Sequence, residues 1–449
     1  MFNFENEMKN VFHILLLLLA DASLFAQENV QSKIKYHTEK AQNYLDKEKA
    51  LGSYYSITEE GIKIFSSAEE KKINKQEFFV PWKELGSFYS IIKNVKPEVL
   101  NQIYASGTYT YESCKKYFPV TAPAKNLLNE DQPTSTLPPA TLYRYKIAID
   151  PGHIAHNFEM GDLEKKHIII KGDSINGIKD SIEIAEGMLT YATAILLKEK
   201  LESEGAIVFL TRTADKCAFG KTYHQWKKDD LKKAVDSLYK IGEIKSWQKD
   251  HFNSSKVKDR DIFRVIFRDL ELAKRVELIN NFNPDYTVVI HYNVDETNLD
   301  WIKTTDKNFN MCFVGGAFMK NDLSTKEKRF EFLRLLITDD LEKSIAISSS
   351  VMKSFENELK VPTATTRDAK YIIEGCLPTE ANGVYCRNLQ LPRYIHSPIV
   401  YGETLYQDNF NECKLLSAET DKTKNKRVQQ VADAYFKGIL NYVNSSPSK

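Results

Sequence analysis

KIAIDPGH, residues Lys146–His153, is the stretch on which the reading of this chain turns. Its first residues cluster apolar side chains as a β-strand does, and Asp-Pro-Gly then closes the run in a tight turn. Proline cannot donate to a strand ladder and glycine bends easily, so the next residue, His153, is delivered to the rim of a sheet. A second run, DYTVVIHYN, Asp285–Asn293, does the same with His291. An acidic residue opens a strongly helical stretch between the two. Two imidazoles and one carboxylate are a ligand set suited to zinc.

Outward from that stretch, AEGMLTYATAILLKEKLESEG, Ala185–Gly205, repeats apolar residues at helical spacing through Leu189, Ala192, Ile195 and Leu196 before Gly205 stops it. Strand AIVFLTR, Ala206–Arg212, follows directly. Strand, helix, strand in that order predicts a right-handed crossover and a parallel sheet. A polar and aromatic insertion near 214–260 precedes the helix RDLELAKRVELINNF and the His291 strand. Strand NMCFVGGAF, helix EKSIAISSSVMKSFENEL, strand SPIVYGETL and helix RVQQVADAYFKGILNYV complete the alternation. The expected fold is α/β, a mainly parallel sheet covered by helices on both faces.

Upstream, the pattern changes. Residues Asn29–Lys49 are polar and helix-compatible, and GSYYSITEEGIKIFS and KQEFFVPWKEL are short alternating runs around a Glu-Glu-Gly turn. Thr121–Leu142 concentrates Pro, Ser, Thr and Asn as a linker does. The expected organisation is a small α+β N-terminal domain over 27–120, a linker over 121–142 and an α/β domain over 143–445. Insertions in the latter fall near 214–260 and 297–391.

A chain of 449 residues, 42% hydrophobic, can bury a full-sized core. Lysine plus arginine (62) nearly cancel aspartate plus glutamate (61), so no overall field points to nucleic acid or an anionic membrane as partner. Lys9 followed by the apolar stretch Val11–Ala26 reads as a secretory signal over 1–26, with a buried N-terminal helix as the alternative. Export is therefore expected. Six scattered cysteines lack the paired spacing of a zinc or redox motif, and Cys376 with Cys386 is a plausible short disulfide loop.

Taken together, IAIDPGH, the helix-opening glutamate, FLTR, RVELINNFNPDYTVVIHYN and VYGET resemble, in that order, the zinc-dependent N-acetylmuramoyl-L-alanine amidases over most of Lys146–Tyr442. The resemblance implies a zinc-hydrolase type of sheet. It places the zinc ligands on His153, Glu186 and His291, with Glu183 as the register alternative to Glu186. It also implies that Glu403 acts on the zinc-activated water. Arg212, Arg275, Asn280 and Asp285 match the pattern as ion-pairing and capping residues, and Asp150 as a turn cap or ligand orienter. Tyr292, Asn293 and Arg387 are placed towards substrate, whereas His156, His167, His224, His251 and His396 are expected on the surface or in loops.

The implied reaction is hydrolysis of the amide between N-acetylmuramic acid and L-alanine, with peptidoglycan as partner and the periplasm, or alternatively the medium, as location. Two other readings stay open: a zinc exopeptidase of related architecture, and an inactive peptidoglycan-binding or regulatory protein. Two departures from the family are visible. Ile154, Ala155 and His156 stand where small glycines are common, and Thr297–Leu391 is long. Within it, KNDLSTKEKRFEFLRLLITDDLEKS is charged and helix-compatible, and the resemblance implies that such an inserted helix is a lid that an activator protein would displace.

Overall fold

The computed structural model describes residues 29–94, 99, 102, 141–172 and 180–445. The expected signal segment and nearly all of the expected linker lie outside these residues. The chain divides into two units, Met1–Thr121 with Phe318–Thr338, and Ala122–Ala317 with Asp339–Lys449.

The first unit holds an antiparallel sheet of β1 (Tyr55–Thr58), β2 (Gly61–Ile64) and β3 (Phe78–Pro81) in that order. Three short strands cannot close a core alone. The missing layer comes from far along the chain. Helix Lys326–Ile337 belongs to this unit, and every residue from Arg329 to Ile337 is buried. Phe330 meets Phe78 at 5.7 Å between rings, Phe332 meets Tyr55 at 5.3 Å, and Arg329 grips Glu77 through Nε–Oε2 (2.6 Å) and Nη2–Oε1 (3.0 Å). This corrects the expected insertion boundaries. Phe318–Thr338 groups with the N-terminal unit, and its helix packs on that unit's strands.

The second unit is built on a seven-stranded sheet. In chain order its strands are β4 (Lys146–Pro151), the separate hairpin β5 (His167–Ile170) and β6 (Ile182–Ala185), β7 (Ile207–Leu210), β8 (Tyr286–Asn293), β9 (Met311–Val314), β10 (Cys376–Pro378), β11 (Val384–Arg387) and β12 (Ile399–Tyr406). The main sheet runs β10-β11-β9-β12-β8-β4-β7. Pairs β4–β7, β4–β8, β8–β12 and β9–β11 are parallel; β9–β12 and β10–β11 are antiparallel. The sheet is mostly parallel, as expected.

All eight residues of β8 are buried, as a central strand covered on both faces requires. Helix Glu186–Ser203 covers one face, where Thr193 Oγ1 meets the Tyr292 hydroxyl at 2.7 Å. Helix Arg268–Phe282 covers the other, packing Ile279 against Ala148 and Val289. Parallel register then brings the carboxyl ends of β4, β8 and β12 side by side, with Pro151 opposite Ile290 and Glu403 opposite His291. Sheets of this kind place ligands at that edge.

The 214–260 insertion is well packed. Its helices Tyr223–Lys240 and Ser246–Phe252 bury Tyr223, Trp226, Val235 and Phe252 in a cluster with Phe267, Ile154 and Ala155, behind the turn that follows His153. The expected Cys376–Cys386 disulfide is absent. Cys376 pairs with Arg387 and Cys386 with Leu377, so the two side chains leave the ladder on opposite faces.

Candidate metal centre

The turn after β4 is held by two buried arginines. Arg275 Nη1 contacts both oxygens of Asp150 (3.1 and 3.2 Å) and the Pro151 carbonyl (2.8 Å), while Nη2 donates to the His153 carbonyl (2.9 Å) and Nε to Glu271 (2.7 Å). Arg212 donates to the carbonyls of Pro151 (3.0 Å), Gly152 (3.1 Å) and Gly187 (2.9 Å). Thr211 completes the Asp150 carboxylate. Burial, together with the charge of Arg275, lowers the Arg212 pKa to about 10; burial also opposes the Arg275 charge, but Asp150 and Glu271 outweigh it and raise its pKa.

So fixed, the backbone takes an unusual course. His153 has φ 60°, a left-handed conformation that costs free energy for a residue with a side chain. Gly152 before it leaves no room for a methyl group: a Cβ there would lie 2.3 Å from Cε1 of His291. The glycine lets the turn pass directly against the second histidine.

Glu186 opens its helix, where the positive end of the peptide dipoles favours a carboxylate. Its Oε1 lies 3.1 Å from His153 Nε2 and 3.1 Å from His291 Nδ1, and accepts the Tyr292 backbone N–H at 3.2 Å. One atom each from His153, Glu186 and His291 fall within 4.8 Å of one another. Two of the buried polar atoms here, His153 Nε2 and Glu186 Oε2, have no hydrogen-bond partner. Buried orphans are costly, and a divalent cation at this point would satisfy both. The donor set therefore fits zinc.

Charge agrees with geometry. Burial pushes the Glu186 carboxyl up, but the charges of His153 and Lys166 and the close approach of both imidazoles hold it well below the usual carboxylate range. Burial pushes the His153 imidazole down, yet Glu186, aided by Glu164 and opposed by Lys166, leaves it raised. An anionic carboxylate is the form a metal takes, and a bound cation would displace the imidazole's proton.

Glu403, half-buried on β12, shares a cavity of about 330 Å³ with His153, Glu186, His291 and Tyr401. Burial raises its pKa; the neighbouring Glu186 adds to that, while His291, Lys166 and Arg387 oppose it. Tyr401 stacks on His291 with ring centres 4.9 Å apart and planes 8° from parallel.

Other expected residues fall differently. Glu183 lies on β6 with its carboxylate 3.8 Å from His167 Nε2, away from the cluster. Tyr292 turns to the opposite face from His291 and points at Thr193 rather than towards substrate. Asn293 donates to the Tyr371 hydroxyl at 3.0 Å, and Arg387 lies 4.8 Å over the Tyr371 ring. His167, expected on the surface, is buried with Nδ1 2.9 Å from Asp162. Asn280 caps the end of the helix Gln390–Tyr394, donating to the Tyr394 carbonyl and accepting from His396 N–H, both at 2.9 Å.

Two contributors were not anticipated. Glu164 is buried, with Oε2 3.0 Å from His153 Nδ1 and Oε1 accepting the Ile154 N–H at 2.8 Å. A carboxylate on the far nitrogen fixes the ring and leaves Nε2 for a metal. Lys166 Nζ lies 3.5 Å from Glu186 Oε2 and 4.7 Å over the Trp301 ring.

A mostly parallel sheet that gathers two histidines and a glutamate at its strand ends defines an α/β protein with a candidate metal centre. A family model described as N-acetylmuramoyl-L-alanine amidase matches residues 147–441, and the chain belongs to that family. No curated protein matches the chain.

Among solved structures it is similar to the CwlD amidase from Clostridioides difficile in complex with the GerS lipoprotein, at 17% identity and TM-score 0.37 over 68% of this chain and 100% of that one. An N-acetylmuramoyl-L-alanine amidase from Clostridium difficile 630 gives 16% identity and 0.35 over 68% and 99%. The catalytic domain of CwlV from Bacillus (Paenibacillus) polymyxa var. colistinus gives 14% and 0.33 over 67% and 99%. The family assignment rests on the match over residues 147–441, not on these likenesses.

Proposed function

We propose that this protein is a zinc-dependent N-acetylmuramoyl-L-alanine amidase that separates stem peptide from glycan in peptidoglycan. The observation that carries the reading is the convergence of His153, Glu186 and His291 on one cavity with Glu403, in a chain of this family.

In that reading His153, Glu186 and His291 hold the zinc. When bound, zinc supplies Lewis acidity for the amide carbonyl and lowers the pKa of water towards ~7. Glu403 takes a proton from the attacking water and returns it to the L-alanine nitrogen, which then leaves as an amine. Burial raises the Glu403 pKa, which strengthens the carboxylate as the base that takes the proton. Glu164 keeps the His153 ring turned, and Arg275 and Arg212 keep the turn from relaxing. Export to the periplasm, or secretion, belongs to the same proposal and is tested by fractionating cells that make the tagged chain. An activator protein as partner belongs to the same proposal.

The test is digestion of purified sacculi by wild type and Glu403→Gln, with products identified by mass. Wild type should release stem peptides with a free L-alanine amine. The variant should lose about 100- to 10,000-fold in rate while both proteins retain about one zinc per chain. Sacculi left intact by a zinc-loaded wild type would sink the proposal.

A further inference from the structure

Leu299 and Trp301 line the cavity of the metal cluster and also a second cavity of about 230 Å³ beside it. The second is walled as well by Asp162, His167, Arg260 and Asp300. Asp162 and Arg260 in turn border a third cavity of about 320 Å³. The second shares a wall with each of the other two, and the row extends away from the metal cluster within one unit. Arg260 comes from the first insertion and Leu299–Trp301 from the second. None of these residues belongs to the motifs that carry the family resemblance.

The chemistry of the second cavity is specific. The His167 side chain is only 5% exposed, stacked under Phe158 at 4.8 Å, with Nδ1 2.9 Å from the Asp162 carboxylate. Its Nε2 has no hydrogen-bond partner, and the Glu183 carboxylate stands off at 3.8 Å. A ligand hydroxyl, which both donates and accepts, satisfies that nitrogen in either tautomer.

Trp301 offers the indole face. Its carbonyl is tied to the Ile169 N–H at 3.0 Å, its backbone is left-handed at φ 58°, and Lys166 sits 4.7 Å over its ring. Asp162 and Asp300 balance Lys165 and Arg260 on the cavity wall. Balanced charge gives an anionic stem peptide no net attraction. It suits an uncharged ligand whose hydroxyls both donate and accept, laid against an apolar ring.

We infer that the second cavity is a saccharide subsite, taking the glycan residue next to the muramic acid whose amide lies at the metal cluster. Choosing peptidoglycan glycan as the saccharide rests on the proposed function. Trp301 is the stacking platform, Asp162, Asp300 and Arg260 meet hydroxyls and the N-acetyl group, and one hydroxyl pairs with His167 Nε2. The two insertions thereby lengthen the groove along the polymer.

The test is calorimetric binding to the full-length protein of a peptide-free N-acetylglucosamine–N-acetylmuramic acid tetrasaccharide, the monosaccharide and a free stem tripeptide. The tetrasaccharide should bind at least about tenfold more tightly than the monosaccharide. Trp301→Ala should erase about tenfold of that affinity and Trp301→Phe should keep most of it. Arg260→Ala, at an exposed position, should weaken it severalfold.

Absence of tetrasaccharide binding, indifference to Trp301→Ala, or loss confined to the tripeptide would each overturn the subsite. These ligands carry no scissile amide, so the outcome is independent of hydrolysis. Glycan binding without cleavage of sacculi would retain a saccharide site and remove the amidase; cleavage without glycan binding would do the reverse.

Discussion

Two segments border the metal cluster, and they are pinned by different chemistry. The turn Pro151–His153 is tied by two buried arginines whose partners are the carboxylates of Asp150 and Glu271 and a row of backbone carbonyls. The loop that carries Leu299–Trp301 is tied by two carboxylates without an arginine. Asp408 accepts from Asn298 Nδ2 (2.9 Å) and from Asp295 N–H (3.2 Å), and Asp295 accepts from Thr297 N–H (3.0 Å) and the Thr305 hydroxyl (2.7 Å). Opposed full charges hold the ligand-bearing turn in a left-handed geometry it would not otherwise adopt. Mostly neutral donors, joined by Lys307 3.3 Å from Asp295, suffice for a binding wall, and Leu299 is left 84% exposed. Chemistry that needs sub-ångström placement has the over-determined segment; recognition has the softer one.

The harshest way to break that contrast is Arg275→Ala. It removes the shared cation and leaves Asp150 and Glu271 buried and unpaired, so the cost should be about 3–5 kcal/mol of unfolding free energy. Denaturant titration of the variant measures it. The change should also cut hydrolysis of sacculi, because His153 loses the donor on its carbonyl. A shift below about 1 kcal/mol would mean that the turn does not depend on its ion pairs.

Much of this was legible in the chain. The strands β4 and β8 and the helix from Glu186 are local patterns, long enough for periodicity to reveal them, and a histidine directly after a strand-ending Pro-Gly turn announces its own position. Glu164, Lys166 and Trp301 reach the cluster only through the β5–β6 hairpin and a loop, which no spacing encodes. Helix Lys326–Ile337 misled because its partners, Tyr55, Phe78 and Glu77, lie some 250 residues earlier. The Cys376–Cys386 idea failed by a single residue of register. Tyr292 was decidable beforehand: strand alternation puts it on the face opposite His291.

A gentler variant sharpens the comparison by loosening one ligand and leaving the turn in place. Glu164→Gln keeps the size of the side chain and removes the charge facing His153 Nδ1. Zinc affinity should fall by about 10- to 100-fold, read by competition with a chelator of known affinity, while the melting transition of the metal-free protein moves little. Trp301→Ala in the same assay should leave zinc affinity where it was, since Trp301 contacts no proposed ligand directly. Equal losses in both variants would erase the distinction between placement and recognition.

The smallest effect separates the two segments by pH. Burial raises the Asp408 pKa above 3.8, only partly offset by Asn298 and the Asp295 N–H. A carboxyl raised in the folded state contributes stability that is fully present below pH 3.8 and lost as pH rises through its folded value. Burial also pushes Asp295 up, but its bonds from Thr297, Thr305 and Lys307 win and lower it. Its contribution is present above pH 3.8 and lost as pH falls through its folded value. Acidification from neutrality towards pH 4 should therefore first tighten the loop, as Asp408 takes a proton. Protection factors for the Trp301 amide, bonded to the Asn298 carbonyl, report this directly by hydrogen exchange. They should rise on that descent in wild type and stay level in Asp408→Asn. The Gly152 amide, bonded to Ile290, should show no such rise, because the arginines that hold its turn keep their charge up to about pH 10. A Trp301 amide as indifferent to pH as Gly152 would mean that both segments are held by the same kind of force.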